Sequence, residues 1–241
     1  MQIIKYLQFP FFFDAGLLQQ EVNALSVMQW LPHYQVKHYE GTWTAIPLRS
    51  IGGRVDNILV SPTSNPDYQD TLFLTHSSYL KKVLQTFQCT LQAVRLLKLN
   101  AGSIIKEHRD AELNFEKGEI RIHIPVITHS DVEFLLDKES MQLREGECWY
   151  MNFNLPHTIH NKSNIDRVHL VIDAMVNDWV KEIFTNGDCP VKKEIEDTSE
   201  RYDEATKKQM IIQFREMNTA VSNQMAEELE KEMLPERHSP A

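Results

Sequence analysis

His108-Arg109-Asp110 is the first place in the chain where residue types and spacing suggest chemistry. In an extended segment residues two apart share a face, so the imidazole and the carboxylate converge while Arg109 points away. His157, following Leu155-Pro156, offers a third ligand. Two histidines and one carboxylate on one face bind Fe(II) and leave positions open for oxygen and a cosubstrate. A surface ion pair between His108 and Asp110 is the bland alternative, and this spacing alone does not choose between them. Six of the ten histidines (His108, His123, His129, His157, His160 and His169) lie between positions 108 and 169.

Two further segments carry polar side chains on one strand face. Arg121 and His123 alternate with Ile120, Ile122 and Ile124, and Arg167 and His169 alternate with Val168, Leu170 and Ile172. Buried arginine and histidine need partners, and an anionic ligand would supply them. Arginine suits a carboxylate because its planar guanidinium engages both oxygens at once. The alternation fits equally well with isoleucine inside and arginine in water. Coincidence with the candidate triad favours the inward reading.

The elements that must hold these groups are short strands at Leu91–Leu99, Glu119–Val126, Val132–Leu136, Cys148–Met151 and Val168–Ile172. Turn clusters Asn100-Ala101-Gly102-Ser103 and Arg144-Glu145-Gly146-Glu147 punctuate them, which predicts an antiparallel sandwich or barrel. Upstream, residues 61–67 read as a loop, and Ser77 or Ser78 caps a helix carrying Leu80, Val83, Leu84 and Phe87. Downstream, Met210, Phe214, Met217, Val221, Met225 and Leu229 recur at three- and four-residue spacing, as in one amphipathic helix. That helix either packs on the β core or offers a homodimer face, since methionine stripes adapt to varied surfaces. The expected division is a domain over 1–184 with its core at about 91–175, a linker over 185–196 and a helical extension over 197–241.

Composition narrows the partners. The chain has 241 residues, 42% hydrophobic and 24% charged, enough for one substantial core. A net charge of −9 argues against a nucleic-acid binder. Three cysteines without a C-x-x-C pair speak against a disulfide framework or a zinc ribbon and for a reducing compartment. No apolar run approaches roughly eighteen residues, so no membrane span is expected. Lys5, Pro10 and Asp14 break up the N-terminal apolar stretch, so no export signal is read there and the cytoplasm is the expected location.

At this point the motifs carry a resemblance. Val94 to Leu99, then Gly102, Ile104, Ile105 and His108-Arg109-Asp110, resemble the aspartyl/asparaginyl β-hydroxylase family. So do Arg121-Ile122-His123, Gly146-Glu147-Cys148-Trp149, Leu155-Pro156-His157 and the run from Arg167 to Asp173, with a weaker echo at Gly41-Thr42-Trp43. Order, spacing and residue type agree over roughly 90–175. The resemblance implies a mainly β chain with flanking helices: a double-stranded β-helix, or cupin-like jelly roll, with a C-terminal helical tail. It also implies an oxygenase using Fe(II), 2-oxoglutarate and O2.

Carried over residue by residue, it makes His108 and His157 iron ligands, with Asp110 as the carboxylate ligand. Arg167 would hold the distal carboxylate of 2-oxoglutarate, and Arg121 and His123 would support its other end. The animal peptide-hydroxylating members lack the carboxylate ligand, whereas bacterial members acting on free proline keep His-x-Asp. Asp110 therefore points to a small amino-acid substrate, with a peptide side chain or carrier-bound form still open. Arg95, Trp43 and Arg49 are the candidates for gripping it. His160 has the wrong spacing to Arg167 to replace His157. Two other readings of the same residues stand: a cupin-like module that binds metal or ligand without oxidation, and a zinc hydrolase, against which the cosubstrate arginines argue.

Overall fold

The computed structural model describes residues 2–60, 67–110, 113–193, 204–218 and 220–233. The chain opens with β1 (Gln2–Ile4), β2 (Tyr6–Phe12) and α1 (Ala15–Leu25), a helix capped by the Asp14 carboxylate, which accepts from the Leu17 N–H. Next come β3 (Leu31–Pro32), β4 (Tyr39–Glu40), β5 (Trp43–Ile51), β6 (Tyr68–Asp70), α2 (Leu72–Thr75) and α3 (Ser78–Gln85). The central strands are β7 (Leu91–Leu99), β8 (Ile104–His108), β9 (Glu119–Ile127), β10 (Val132–Leu136) and β11 (Glu139–Ser140). They continue as β12 (Glu147–Met151), β13 (His157–Asn161) and β14 (Arg167–Met175). Finally come α4 (Asp178–Asn186), β15 (Val191–Lys193), α5 (Glu204–Met217) and α6 (Ala220–Glu232).

Two antiparallel sheets make the jelly roll that the sequence implied. The larger runs β2-β12-β9-β14-β7-β5-β3, with β6 beside β5, and the smaller runs β11-β10-β13-β8-β4. Ile46, Val94, Ile120, Ile122, Ile124, Leu170 and Ile172 form the outer face of the larger sheet. Leu18 and Val22 of α1, Leu80 and Leu84 of α3, and Val180 and Phe184 of α4 pack in the same cluster. Because helices cover that apolar face, the alternate residues (Arg95, Arg121, His123, Arg167) turn into the space between the sheets. A second apolar cluster lines that space, with Ala45 and Leu97 from one sheet and Ile105, Phe134 and Ile159 from the other.

Gly146 fixes one corner. Its φ is +81°, and a Cβ there would sit 2.2 Å from the Phe13 carbonyl oxygen, so only glycine lets the turn before β12 approach the end of β2.

Two C-terminal expectations need correction. The stretch 185–196 is not a bare linker in its described part. Thr185 and Asn186 finish α4, and Val191–Lys193 pairs antiparallel with β1, whose edge would otherwise expose unpaired backbone groups. The methionine stripe forms two helices, not one, because Asn218 adopts φ +46°, a left-handed conformation that asparagine tolerates and that ends α5. Arg215 of α5 donates to Glu230 of α6 at 2.9 Å. Met210, Phe214, Met225 and Leu229 are buried in the same apolar cluster as the inter-sheet residues. The loop read at 61–67 lies outside the described residues apart from Asp67. No helix among the described residues is long and apolar enough to cross a membrane.

Candidate metal and cosubstrate site

His108 ends β8 and His157 begins β13, and the two are cross-strand partners in the register of the smaller sheet. Asp110 lies two residues past the strand, tied down by its own N–H, which donates to the Phe153 carbonyl at 2.8 Å. Ligand atoms of His108, Asp110 and His157 all lie within 4.8 Å of one another. His108 Nε2 is 3.7 Å from Asp110 Oδ1. The Nδ1 atoms of both histidines face carbonyl oxygens, Lys106 O at 2.7 Å and Leu155 O at 3.0 Å. A carbonyl only accepts, so each Nδ1 carries the proton and each Nε2 presents a lone pair, the state in which imidazole binds a metal.

Electrostatics favour the same state. Burial, reinforced by nearby His108, draws His157 down to about 3, so it is neutral at physiological pH. Burial alone would raise the Asp110 pKa. Arg121 and the neighbouring histidines outweigh it and hold the carboxyl well below its ordinary range. Two imidazoles and one carboxylate are a donor set suited to a divalent transition metal.

Behind the triad lies a buried chain of charges. Arg121 Nε and Nη2 donate to Asp173 at 2.6 and 3.0 Å, and its Nη1 donates to Asp110. Arg95 Nη2 donates to Asp173 at 2.7 Å, and its Nη1 to the Ile58 carbonyl at 3.3 Å. Asp173 is fully buried and its pKa is lowered, burial being outweighed by the two guanidinium groups. All three directed edges of the Arg121 guanidinium therefore meet carboxylates of the chain itself.

Arg167 is different. It is 5% exposed, and among the described residues no carboxylate pairs with it. Its Nη2 donates to His169 Nδ1 at 3.2 Å, and burial alone pulls its pKa down to about 9, so it is charged at neutral pH. His123 Nδ1 lies 3.3 Å from the same His169 nitrogen. The triad, Arg95, Arg121, His123 and Arg167 all line one cavity between the sheets.

Residues 14–176 match the aspartyl/asparaginyl beta-hydroxylase family. The chain belongs to that family. Among its relatives, L-proline cis-4-hydroxylase of Rhizobium meliloti (strain 1021) is 24% identical over 181 residues, 74% of this chain and 64% of that one. L-proline cis-3-hydroxylase 2 of a Streptomyces species is 28% identical over 180 residues, 72% of this chain and 62% of that one. The chain thus spans less than two thirds of the length of either relative. An oxidoreductase of the 2OG-Fe(II) oxygenase family from Burkholderia pseudomallei superposes with a TM-score of 0.48, at 14% identity over 71% of this chain and 86% of that one.

For this family member the cavity gathers most of the residues read from sequence and leaves some out. Trp43 lines it beside Arg95. Arg49 does not. A bulge between Pro47 and Arg49 shifts the register of β5 against β7, and Arg49 is clamped at the sheet edge by Asp70, the Tyr68 carbonyl and the Leu91 carbonyl. His160 alternates with the buried residues of β13 and is absent from the lining. His129 sits beside Asp131 at the surface.

Three groups escaped the sequence reading. His33 and Tyr34 line the cavity, His33 stacked on the Trp43 indole at 3.5 Å between centroids and on Tyr34 at 4.7 Å. Both lie in a loop without periodicity, so spacing carried no signal. Asp173 was within reach: it continues the i, i+2 face of Arg167 and His169.

Proposed function

We propose that the chain is an Fe(II)- and 2-oxoglutarate-dependent dioxygenase that hydroxylates an unactivated C–H bond of a small amino acid, a proline-like one first. One juxtaposition carries this reading: a two-histidine, one-carboxylate set shares one cavity with a buried arginine that no carboxylate pairs among the described residues. A hydrolase needs the first and has no use for the second. When bound, Fe(II) and 2-oxoglutarate supply the oxidising power that places one oxygen atom of O2 in the substrate and leaves succinate and CO2.

The chain's own residues then do the positioning. His108, Asp110 and His157 hold the metal. Arg167 would hold the distal carboxylate of 2-oxoglutarate, with His123 lining the same cavity beside it. Arg121, committed to Asp173 and Asp110, acts through the carboxylate ligand by keeping it ionised and fixed. On the substrate side the His33–Trp43 stack and Tyr34 form a shelf fitted to a small ring, with Arg95 in the same cavity as a cation for an amino-acid carboxylate. The relatives named as L-proline hydroxylases support a free amino acid over a peptide.

Anaerobic mixing of the purified chain with Fe(II) and 2-oxoglutarate should give the visible charge-transfer band of the chelate. Admission of oxygen with a panel of free amino acids should then yield succinate and hydroxylated product in equal amounts. A chelate band without any substrate-linked succinate would favour a binding module; no band in metallated protein would end the oxygenase reading.

A further inference from the structure

Arg121 and Arg167 both border the cavity of the triad, and the chain holds them in opposite ways. Arg121 is fixed by carboxylates, Asp173 at 2.6 and 3.0 Å and Asp110 beside it. Arg167 is fixed by a ring. Its Nη2 donates to His169 Nδ1 at 3.2 Å, and among the described residues that is the guanidinium's one hydrogen bond. Guanidinium has no acceptor, so this Nδ1 is a bare lone pair and the neutral ring carries its proton on Nε2. His123 Nδ1 lies 3.3 Å from the same atom and therefore supplies a second N–H to it. His169 is 1% exposed, and burial, reinforced by Arg167, holds its pKa well below the ordinary value. The partner of the Arg167 guanidinium is thus an acceptor without a charge.

We propose that His169 is a positioning residue for the cosubstrate: its Nδ1 aims the Arg167 guanidinium and leaves the positive charge for the distal carboxylate of 2-oxoglutarate. This role rests on the cosubstrate reading above. A long side chain loses rotamer freedom when it grips a ligand, and a guanidinium oriented beforehand loses less. A carboxylate in the place of His169 would orient the guanidinium but also neutralise it, as Asp173 and Asp110 do for Arg121. An apolar residue there would leave the charge free and its direction loose. An imidazole with a bare Nδ1 meets both requirements. The same lone pair also ties Arg167 of β14 to His123 of β9. His169 is not among the residues lining the cavity of the triad, so it acts through Arg167 and not on the ligand.

Isothermal titration calorimetry of the full chain, loaded with Mn(II) and kept anaerobic, tests this with two acids. 2-Oxoglutarate carries the distal carboxylate; 2-oxopentanoate is the same chain ending in a methyl group. His169→Asn keeps a neutral acceptor, His169→Leu removes it, and His169→Asp puts a charge in its place. 2-Oxoglutarate should bind His169→Asn within about threefold of wild type and His169→Leu roughly 10-fold more weakly. His169→Asp should lose roughly 100-fold, because its carboxylate occupies the guanidinium and repels that of the ligand. Affinities for 2-oxopentanoate and for Mn(II) should stay level across the series. Wild-type affinity for 2-oxoglutarate in His169→Leu overturns the role. So does equal affinity in His169→Asn and His169→Asp, a pair of like size that decides the matter even if His169→Leu fails to fold. Parallel losses of both acids would mark a merely structural residue and overturn it too. A wild type that binds Mn(II) but not 2-oxoglutarate sinks the cosubstrate reading itself, a result distinct from equal binding by wild type and variants.

Discussion

Asp173 accepts two hydrogen bonds from Arg121, at 2.6 and 3.0 Å, and this pairing fixes the guanidinium that reaches the carboxylate of Asp110 in the candidate metal triad. An outer carboxylate thus sets the position and charge state of an inner one through a shared cation. Asp173 never touches the triad.

Asp173→Asn should therefore weaken metal binding by roughly 10- to 100-fold, the range seen when an outer partner of a ligand is lost. Titration with Mn(II) or Co(II) reads this directly. The variant should also be less stable by about 3–5 kcal/mol, because Arg95 and Arg121 lose the charge between them. Unchanged metal affinity in a folded variant would show that Arg121 holds Asp110 without help.

Arg167→Met should remove 2-oxoglutarate binding and, with it, the chelate band, while metal affinity stays close to wild type. In ligand-free protein the same substitution should raise the melting temperature, because it replaces a buried cation, paired with no carboxylate among the described residues, with an apolar chain at a gain on the order of 1 kcal/mol or more. Opposite signs for stability and ligand binding are expected of a residue kept for an anion; a lower melting temperature would mean that Arg167 supports the fold.

His157→Ala should abolish metal binding, and His160→Ala should leave it largely intact. Equal losses in the two variants would put the second imidazole ligand at the wrong histidine.

Acid should destabilise the ligand-free protein well before its carboxylates titrate. Burial lowers the pKa of His33, His123 and His169, and takes His157 from 6.5 to about 3. Below pH 6.5 the unfolded chain takes protons at these imidazoles and the folded chain does not, so stability falls as pH drops. Each group contributes on the order of 1 kcal/mol per pH unit in that window, and the His157 contribution levels off near its folded value. Melting temperatures measured from pH 8 downward should decline with increasing slope below about 6.5. A flat profile down to pH 5 would contradict neutral burial of the four rings.

Much of this was legible in the chain because it repeats with the period of a strand. Arg121 and His123, then Arg167 and His169, are two-residue alternations, and a period of two says which residues share a face. It does not say which face is inside; that was decided by α1, α3 and α4, whose apolar sides cover the isoleucines. Arg49 shows the limit from another direction. One bulge in β5 displaces it from the alternation, and no local composition marks the bulge. His33 and Tyr34 lie in a loop that only tertiary packing brings to the cavity. The methionine stripe kept its helical spacing across Asn218, so periodicity alone read as one helix what a single left-handed residue divides into two.

The direct pairing of His157 with His108 across β13 and β8 has a consequence for motion. A metal held by both imidazoles would rivet two adjacent strands of the smaller sheet at one point. Those strands could then part only in states from which the ion has departed. Amide hydrogens along β8 and β13 would exchange with solvent at rates set by metal release, not by fraying of the sheet. The ion would serve as a fastener of the barrel as well as a reagent within it.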